Sequence, residues 1–185
     1  MSESDSTISL TLPALSIPDT SQETDSGRLV IPGQSIPEKR ISIQPSLVAD
    51  LRGLAREAAK SAYCPYSRFH VGAALVMADD PQSRLFSGCN VENASYGGTV
   101  CAERNAIFSA AAAGFRRLGV ILVSTVDSLN GPVGDRSPCG ICRQVIREFA
   151  DERTLIVIDA GDEGLLGNVL DIDRLLPWGF QLEKS

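Results

Sequence analysis

Cys101 and Glu103 stand two residues apart, and Pro138-Cys139-Gly140-Ile141-Cys142 follows later in the chain, so three thiols and one carboxylate are spaced as a metal site requires. Zinc takes four ligands in a tetrahedron, and structural sites are usually closed by four protein donors. This motif offers only three. A fourth position left to water suits catalysis, because zinc lowers the pKa of bound water from 15.7 toward roughly 7. Glu103 is then the proton carrier. A lone C-x-x-C also fits a redox pair or half a zinc knuckle. Neither alternative accounts for Cys101 and Glu103. Three thiolates with one Zn²⁺ leave an excess negative charge, so a neighbouring cation would favour acidic water. Arg104 and Arg143 adjoin the two motifs, and Arg104 is the preferred candidate.

These groups need a scaffold, and the pattern from residue 45 onward supplies one. Ser46 is a credible N-cap, and Leu47, Leu51, Leu54 and Ala58 recur at helical spacing, predicting a helix over 46–62. Strands are expected over 71–77 and 84–91, and the short polar link between them suits an antiparallel hairpin. An alanine-rich helix over 102–113 ends at Gly114. A strand over 120–125 follows, then a Gly/Pro loop, a helix carrying Ile141, Val145 and Phe149 on one face, and a β-branched strand over 154–158. The turn after Ile158 is too short for a parallel crossover, so the segment 165–170 should return antiparallel. The expected fold is α/β, a mixed sheet of about five strands covered by helices. Both metal motifs begin helices, whose N-terminal dipoles favour thiolate over thiol.

Composition narrows the function. The 185 residues suit one domain, and 43% hydrophobic content is ordinary for a soluble globule. A net charge of -6 and a pI near 4.8 disfavour a phosphate-tracking surface and leave a nucleic-acid partner unsupported. Five cysteines, three of them in the motif, suggest reduced thiols in a cytoplasmic protein, with Cys64 and Cys89 as bystanders. No run of 18 or more apolar residues occurs, so no membrane span is expected. Residues 1–45 hold half of the ten prolines, are rich in Ser and Thr and contain no aromatic residue. They read as a flexible tail. Short apolar pieces such as Leu29-Val30-Ile31 could still lie against the globule. No internal repeat is present.

Successive segments over 64–75, 88–96, 100–107 and 137–144, with Leu175-Leu-Pro-Trp-Gly-Phe180 at the end, resemble the motifs of the small zinc-dependent cytidine deaminases. The likeness covers residues 46–182, the tail apart. The resemblance implies a three-layer α/β/α sandwich, one Zn²⁺ per subunit, and hydrolytic deamination of cytidine and 2′-deoxycytidine in pyrimidine salvage. It also implies a homotetramer with shared active sites. Carried over residue by residue, it assigns zinc to Cys101, Cys139 and Cys142, proton shuttling to Glu103, base stacking to Phe69 and the sugar to Asn90 and Glu92. Tyr96 and Phe180 would serve a neighbouring subunit's site. By residue type alone, Asn90 and Glu92 read as a polar turn, and Phe69 equally describes core packing. His70, the single histidine, reads as structural polarity.

Three other readings compete with a nucleoside deaminase. A different cytosine compound, such as a nucleoside antibiotic, would leave Asn90 and Glu92 unpaired. A polynucleotide-editing enzyme would need a basic channel. A non-catalytic zinc scaffold would have no use for Glu103.

Overall fold

A computed structural model describes residues 6–161 and 166–182. Residues 8–43 form nested antiparallel pairs rather than the flexible tail expected from composition. Strand β1 (Ile8–Leu12) pairs with β6 (Lys39–Ile43), β2 (Leu15–Ile17) with β5 (Gln34–Ile36), and β3 (Thr20–Thr24) with β4 (Gly27–Ile31). The result is one long hairpin interrupted where Pro13, Pro18, Pro32 and Pro37 remove ladder donors. Its base is anchored, with Leu12, Ile36, Ile41 and Ile43 buried, whereas Leu29, Val30 and Ile31 near its tip are exposed. The apolar pieces at the tip therefore do not lie against the globule.

Helix α1 (Pro45–Ala59) follows directly. Its N-cap is Gln44 rather than Ser46, because Pro45 takes the first helical position, where its missing N–H costs nothing. Val48, Leu51, Ala55 and Ala59 form its buried face. Strands β7 (Val71–Met77) and β8 (Leu85–Cys89) make the expected antiparallel hairpin. Helix α2 (Ala102–Ala112) ends before Gly114, whose φ of 101° is the left-handed geometry a helix terminus favours. Strand β9 (Leu118–Thr125) comes next. The Gly/Pro loop beyond it contains a short helix, α3 (Val133–Arg136), which the sequence pattern did not indicate. Helix α4 (Gly140–Phe149), strand β10 (Leu155–Ile158), strand β11 (Asn168–Leu170) and helix α5 (Ile172–Leu175) complete the chain. Part of the segment expected to begin β11, including Leu165, lies outside the described residues.

The central sheet has the order β11-β10-β9-β7-β8. Strands β9 and β10 are parallel and joined through α4, while β11 returns antiparallel to β10. Side-chain alternation sorts each strand between two cores. Ala73, Leu75, Ile121, Val123 and Ile156 face α2 and α4. Ala74, Val120, Leu122, Leu155 and Val157 face α1 and the hairpin base. Layers of helix, sheet and helix follow, and Thr125 at the end of β9 lines a cavity with Cys101 and Cys139, the residues that cap the two motif helices.

Candidate metal centre and its cavity

Cys101 is the N-cap of α2, Cys139 the N-cap of α4, and Cys142 lies in the first turn of α4. Two helix N-termini thus converge, and their unpaired N–H groups favour anionic sulfur there. The three Sγ atoms lie within 4.8 Å of one another, and Cys101 and Cys139 are 3.9 Å apart. Tetrahedral coordination at about 2.3 Å places sulfurs about 3.8 Å apart, which matches the Cys101–Cys139 separation and makes the triangle the right size for zinc. Among the described residues it is the one such group of three potential ligands.

The electrostatics of the triangle also ask for a cation. Hydrogen bonding from Cys142, together with Arg104, pulls the Cys101 thiol down to about 5. Cys142 moves up, because it donates to Cys101, is buried, and faces the charges of Glu103 and Cys101. One thiolate forms readily and the next is repelled. A divalent ion removes that repulsion and lets all three ionise. Arg104 Nη2 donates to the Thr99 carbonyl at 2.7 Å and lies 3.7 Å from Cys101 Sγ. Arg143 instead spans the Pro138 and Leu175 carbonyls and the Ser137 hydroxyl, so it braces the loop ahead of Cys139.

Glu103 is 4% exposed, and burial pushes its carboxyl up to about 7. A carboxyl there can both accept and return a proton near neutral pH. It lines a cavity of about 380 Å³ with Cys101, Cys139, Phe69, Asn90 and Glu92. That volume lies in the usual range for a small-molecule site. Asn90 is committed to its own loop, since its Oδ1 accepts from Val71 N at 2.9 Å and its Nδ2 donates to the Phe69 carbonyl at 2.8 Å. Each of those atoms retains capacity for one more bond. Glu92 Oε2 accepts from the Tyr66 and Ser67 backbone N–H groups at 2.9 and 3.2 Å. The Ser67 hydroxyl and these N–H groups hold its carboxyl below the usual value against the opposing effect of burial.

The remaining sequence candidates fall elsewhere. Tyr96, 83% exposed, borders a smaller cavity that shares Ser67, Glu92 and Thr99 with the first. Phe180 is 65% exposed and away from the cavity, its carbonyl accepting from Gln144 Nε2 at 2.9 Å. His70 donates through its backbone N–H to Asp127 Oδ2 at 2.6 Å, and its Nδ1 lies 2.9 Å from the same oxygen. Sequence reasoning missed Val71, Val123, Thr125, Asp135 and Arg136, all of which line the cavity. Val71, Val123 and Thr125 could have been placed by strand alternation; Asp135 and Arg136 sit on α3, which no periodicity announces. Arg136 is spent on the carbonyls of Gly131 and Asp159 and on Asn168 Oδ1, so it fastens the loop before Pro138.

A sequence profile described as the cytidine and deoxycytidylate deaminase zinc-binding region matches residues 48–158. The cytidine deaminase of Halalkalibacterium halodurans is 43% identical over 129 residues, covering 69% of this chain and 89% of that relative. The cytidine deaminase of Mycobacterium tuberculosis is 46% identical over 106 residues, or 57% of this chain and 74% of its own. Among solved structures, cytidine deaminase from Burkholderia pseudomallei superposes with a TM-score of 0.61 at 43% identity, over 71% of this chain and 98% of that one. The Mycobacterium tuberculosis structure gives 0.57 at 38% identity, over 72% and 97%.

Proposed function

The chain belongs to the zinc-dependent cytidine and deoxycytidylate deaminase family, and from that premise we propose that it hydrolyses cytidine and 2′-deoxycytidine to uridine and 2′-deoxyuridine, releasing ammonia. The observation that carries this reading is the placement of buried Glu103 in one cavity with the open face of the three-thiol triangle. Zinc held by Cys101, Cys139 and Cys142 would supply a Lewis acid that acidifies water near neutral pH. Everything else falls to the chain. Glu103 takes a proton from the attacking water and passes it to N3 of cytosine while the new C–O bond forms at C4. It then carries a proton to the amino nitrogen, the C4–N bond breaks, and ammonia leaves. Burial near Cys101 keeps the carboxyl poised for both transfers.

Phe69 is assigned to stacking on the base, and Asn90 and Glu92 to the sugar through the capacity their loop contacts leave free. Arg104 offsets the excess charge of the thiolates beside Cys101. A homotetramer with shared sites would explain why Tyr96 and Phe180 are exposed and do not line their own chain's cavity. The deaminase domain is assigned to residues 46–185, a reading supported by a profile match beginning at residue 48. We place the enzyme in cytoplasmic pyrimidine salvage, consistent with cysteines that are all free and with no described helix long and apolar enough to cross a membrane.

Ammonia release from cytidine, deoxycytidine, free cytosine and cytosine in an oligonucleotide tests the proposal. Turnover of the two nucleosides alone supports it. Preference for the base or the oligonucleotide would overturn it.

A further inference from the structure

The cavity is lined by five neutral polar side chains, Ser67, Asn90, Thr99, Thr125 and Ser137. Four of them are already employed. Ser67 Oγ accepts from Phe69 N at 3.0 Å, Thr99 Oγ1 accepts from Asn93 N at 3.2 Å, and Ser137 Oγ joins Gly134 to Arg143. Asn90 spends its amide on residues 69–71. Thr125 differs. It is 4% exposed, and its hydroxyl has no hydrogen-bond partner among the described residues. A buried hydroxyl left unpaired is a standing penalty. Valine would fill nearly the same volume without that penalty, so packing alone does not account for a hydroxyl here.

Position indicates what the hydroxyl serves. Thr125 ends β9 directly opposite Val71, and Val71 N is the group that Asn90 holds. Thr125 therefore adjoins the Asn90 flank of the cavity. Rotation about its χ1 exchanges hydroxyl and methyl between staggered wells, so oxygen can be presented to an incoming ligand without repacking the strand.

We infer that Thr125 Oγ1 is a hydrogen-bonding contact for a ribose hydroxyl of the bound nucleoside, and so a specificity-determining residue for the sugar. This deepens the deaminase reading above and rests on it. The contact is a neutral one and can both donate and accept.

The test is steady-state kinetics of wild type, Thr125→Val and Thr125→Ser on cytidine and its 2′-deoxy, 3′-deoxy and 5′-deoxy analogues, with the melting temperature of each protein. Thr125→Val should lower kcat/KM for cytidine about 3- to 10-fold, the effect of one neutral hydrogen bond. The loss should vanish for the one analogue that lacks the partner hydroxyl, and Thr125→Ser should restore most of the activity on cytidine. The melting temperature of Thr125→Val should be equal to or above that of wild type, since an orphaned hydroxyl has been removed. An equal loss on every analogue, no loss on any, or a lowered melting temperature with uniformly reduced turnover would overturn the assignment. Such results in an enzyme whose wild type deaminates cytidine leave the deaminase reading standing. A wild type inactive on cytidine overturns both.

Discussion

Gly88 is the point at which strand β8 touches helix α2, and adding one methyl there should disturb the site without altering any group that lines it. A Cβ at Gly88 would lie 2.5 Å from Ala106 N and 2.8 Å from both Ala102 O and Asn105 Cβ. Two of these three are backbone atoms of the helix and cannot rotate away. Restoring ordinary contact near 3.4 Å requires a retreat of α2 by about 0.9 Å, and the part displaced includes Ala102, between Cys101 and Glu103. Overpacking of this kind costs about 1–3 kcal/mol. For a chain of this length that is a fall of about 5 °C in melting temperature. A displacement near 1 Å between reacting groups costs about 10²-fold in rate. Gly88→Ala should therefore remain folded at 25 °C and yet lose about 10²-fold in kcat/KM, so the rate loss does not come from unfolding. Calorimetry and kcat/KM for cytidine measure the two effects, and Gly53→Ala is the control, since Gly53 is an exposed helical residue with nothing within 4 Å of an added Cβ. The control should gain about 1 kcal/mol with unchanged kinetics. Gly88→Ala with wild-type melting and kcat/KM within about twofold would refute the claim that close β8–α2 contact sets the site geometry.

Glu103→Gln should keep its zinc, measured by metal analysis, and lose about 10²- to 10⁴-fold in turnover, because the amide can neither accept nor return the proton. Asp159 is fully buried and bonded to Arg52 at 3.1 Å, Arg56 at 2.8 Å and Ser124 at 2.7 Å. Asp159→Ala should destabilise the fold by about 3 kcal/mol in denaturant titration, since the arginines, partly exposed, can recover some hydration. Burial raises the Asp159 carboxyl, but Arg56, Ser124 and Arg52 outweigh it and hold it below the usual value. Its stabilisation is therefore complete above about pH 4 and lost as pH falls through the depressed folded value, so acid unfolding should begin at higher pH in Asp159→Ala than in wild type. Deleting residues 1–40 should leave specific activity on cytidine intact in the folded protein, but uncovering Ile43 and removing buried Leu12 and Ile36 should lower the melting temperature. Removing only the exposed segment 19–32 should change neither.

The metal centre was legible because its chemistry is written locally, as Cys101 with Glu103 and Cys139 with Cys142, each pair within one helical turn. The sheet was legible for a related reason, as its strands alternate between two cores in short-range order. The hairpin over residues 8–43 was not. Its pairs join residues as distant as Ile8 and Ile43, and Ser, Thr and Pro give no periodicity from which that register could be read. Asn90 shows a subtler limit. The family resemblance assigned it to the sugar, yet its amide also clamps the Phe69 and Val71 backbone, a contact that depends on how two loops meet. Thr125 was read only as the end of a strand, because an unpaired hydroxyl becomes visible once every neighbour has been placed.

Ammonia release from cytidine, titrated against zinc bound per chain, tests the central claim most directly. Activity should rise in proportion to zinc and level off at one ion per chain, as a three-thiol site with one open position requires. Full turnover in metal-free protein, or none in the zinc-loaded chain, would contradict it.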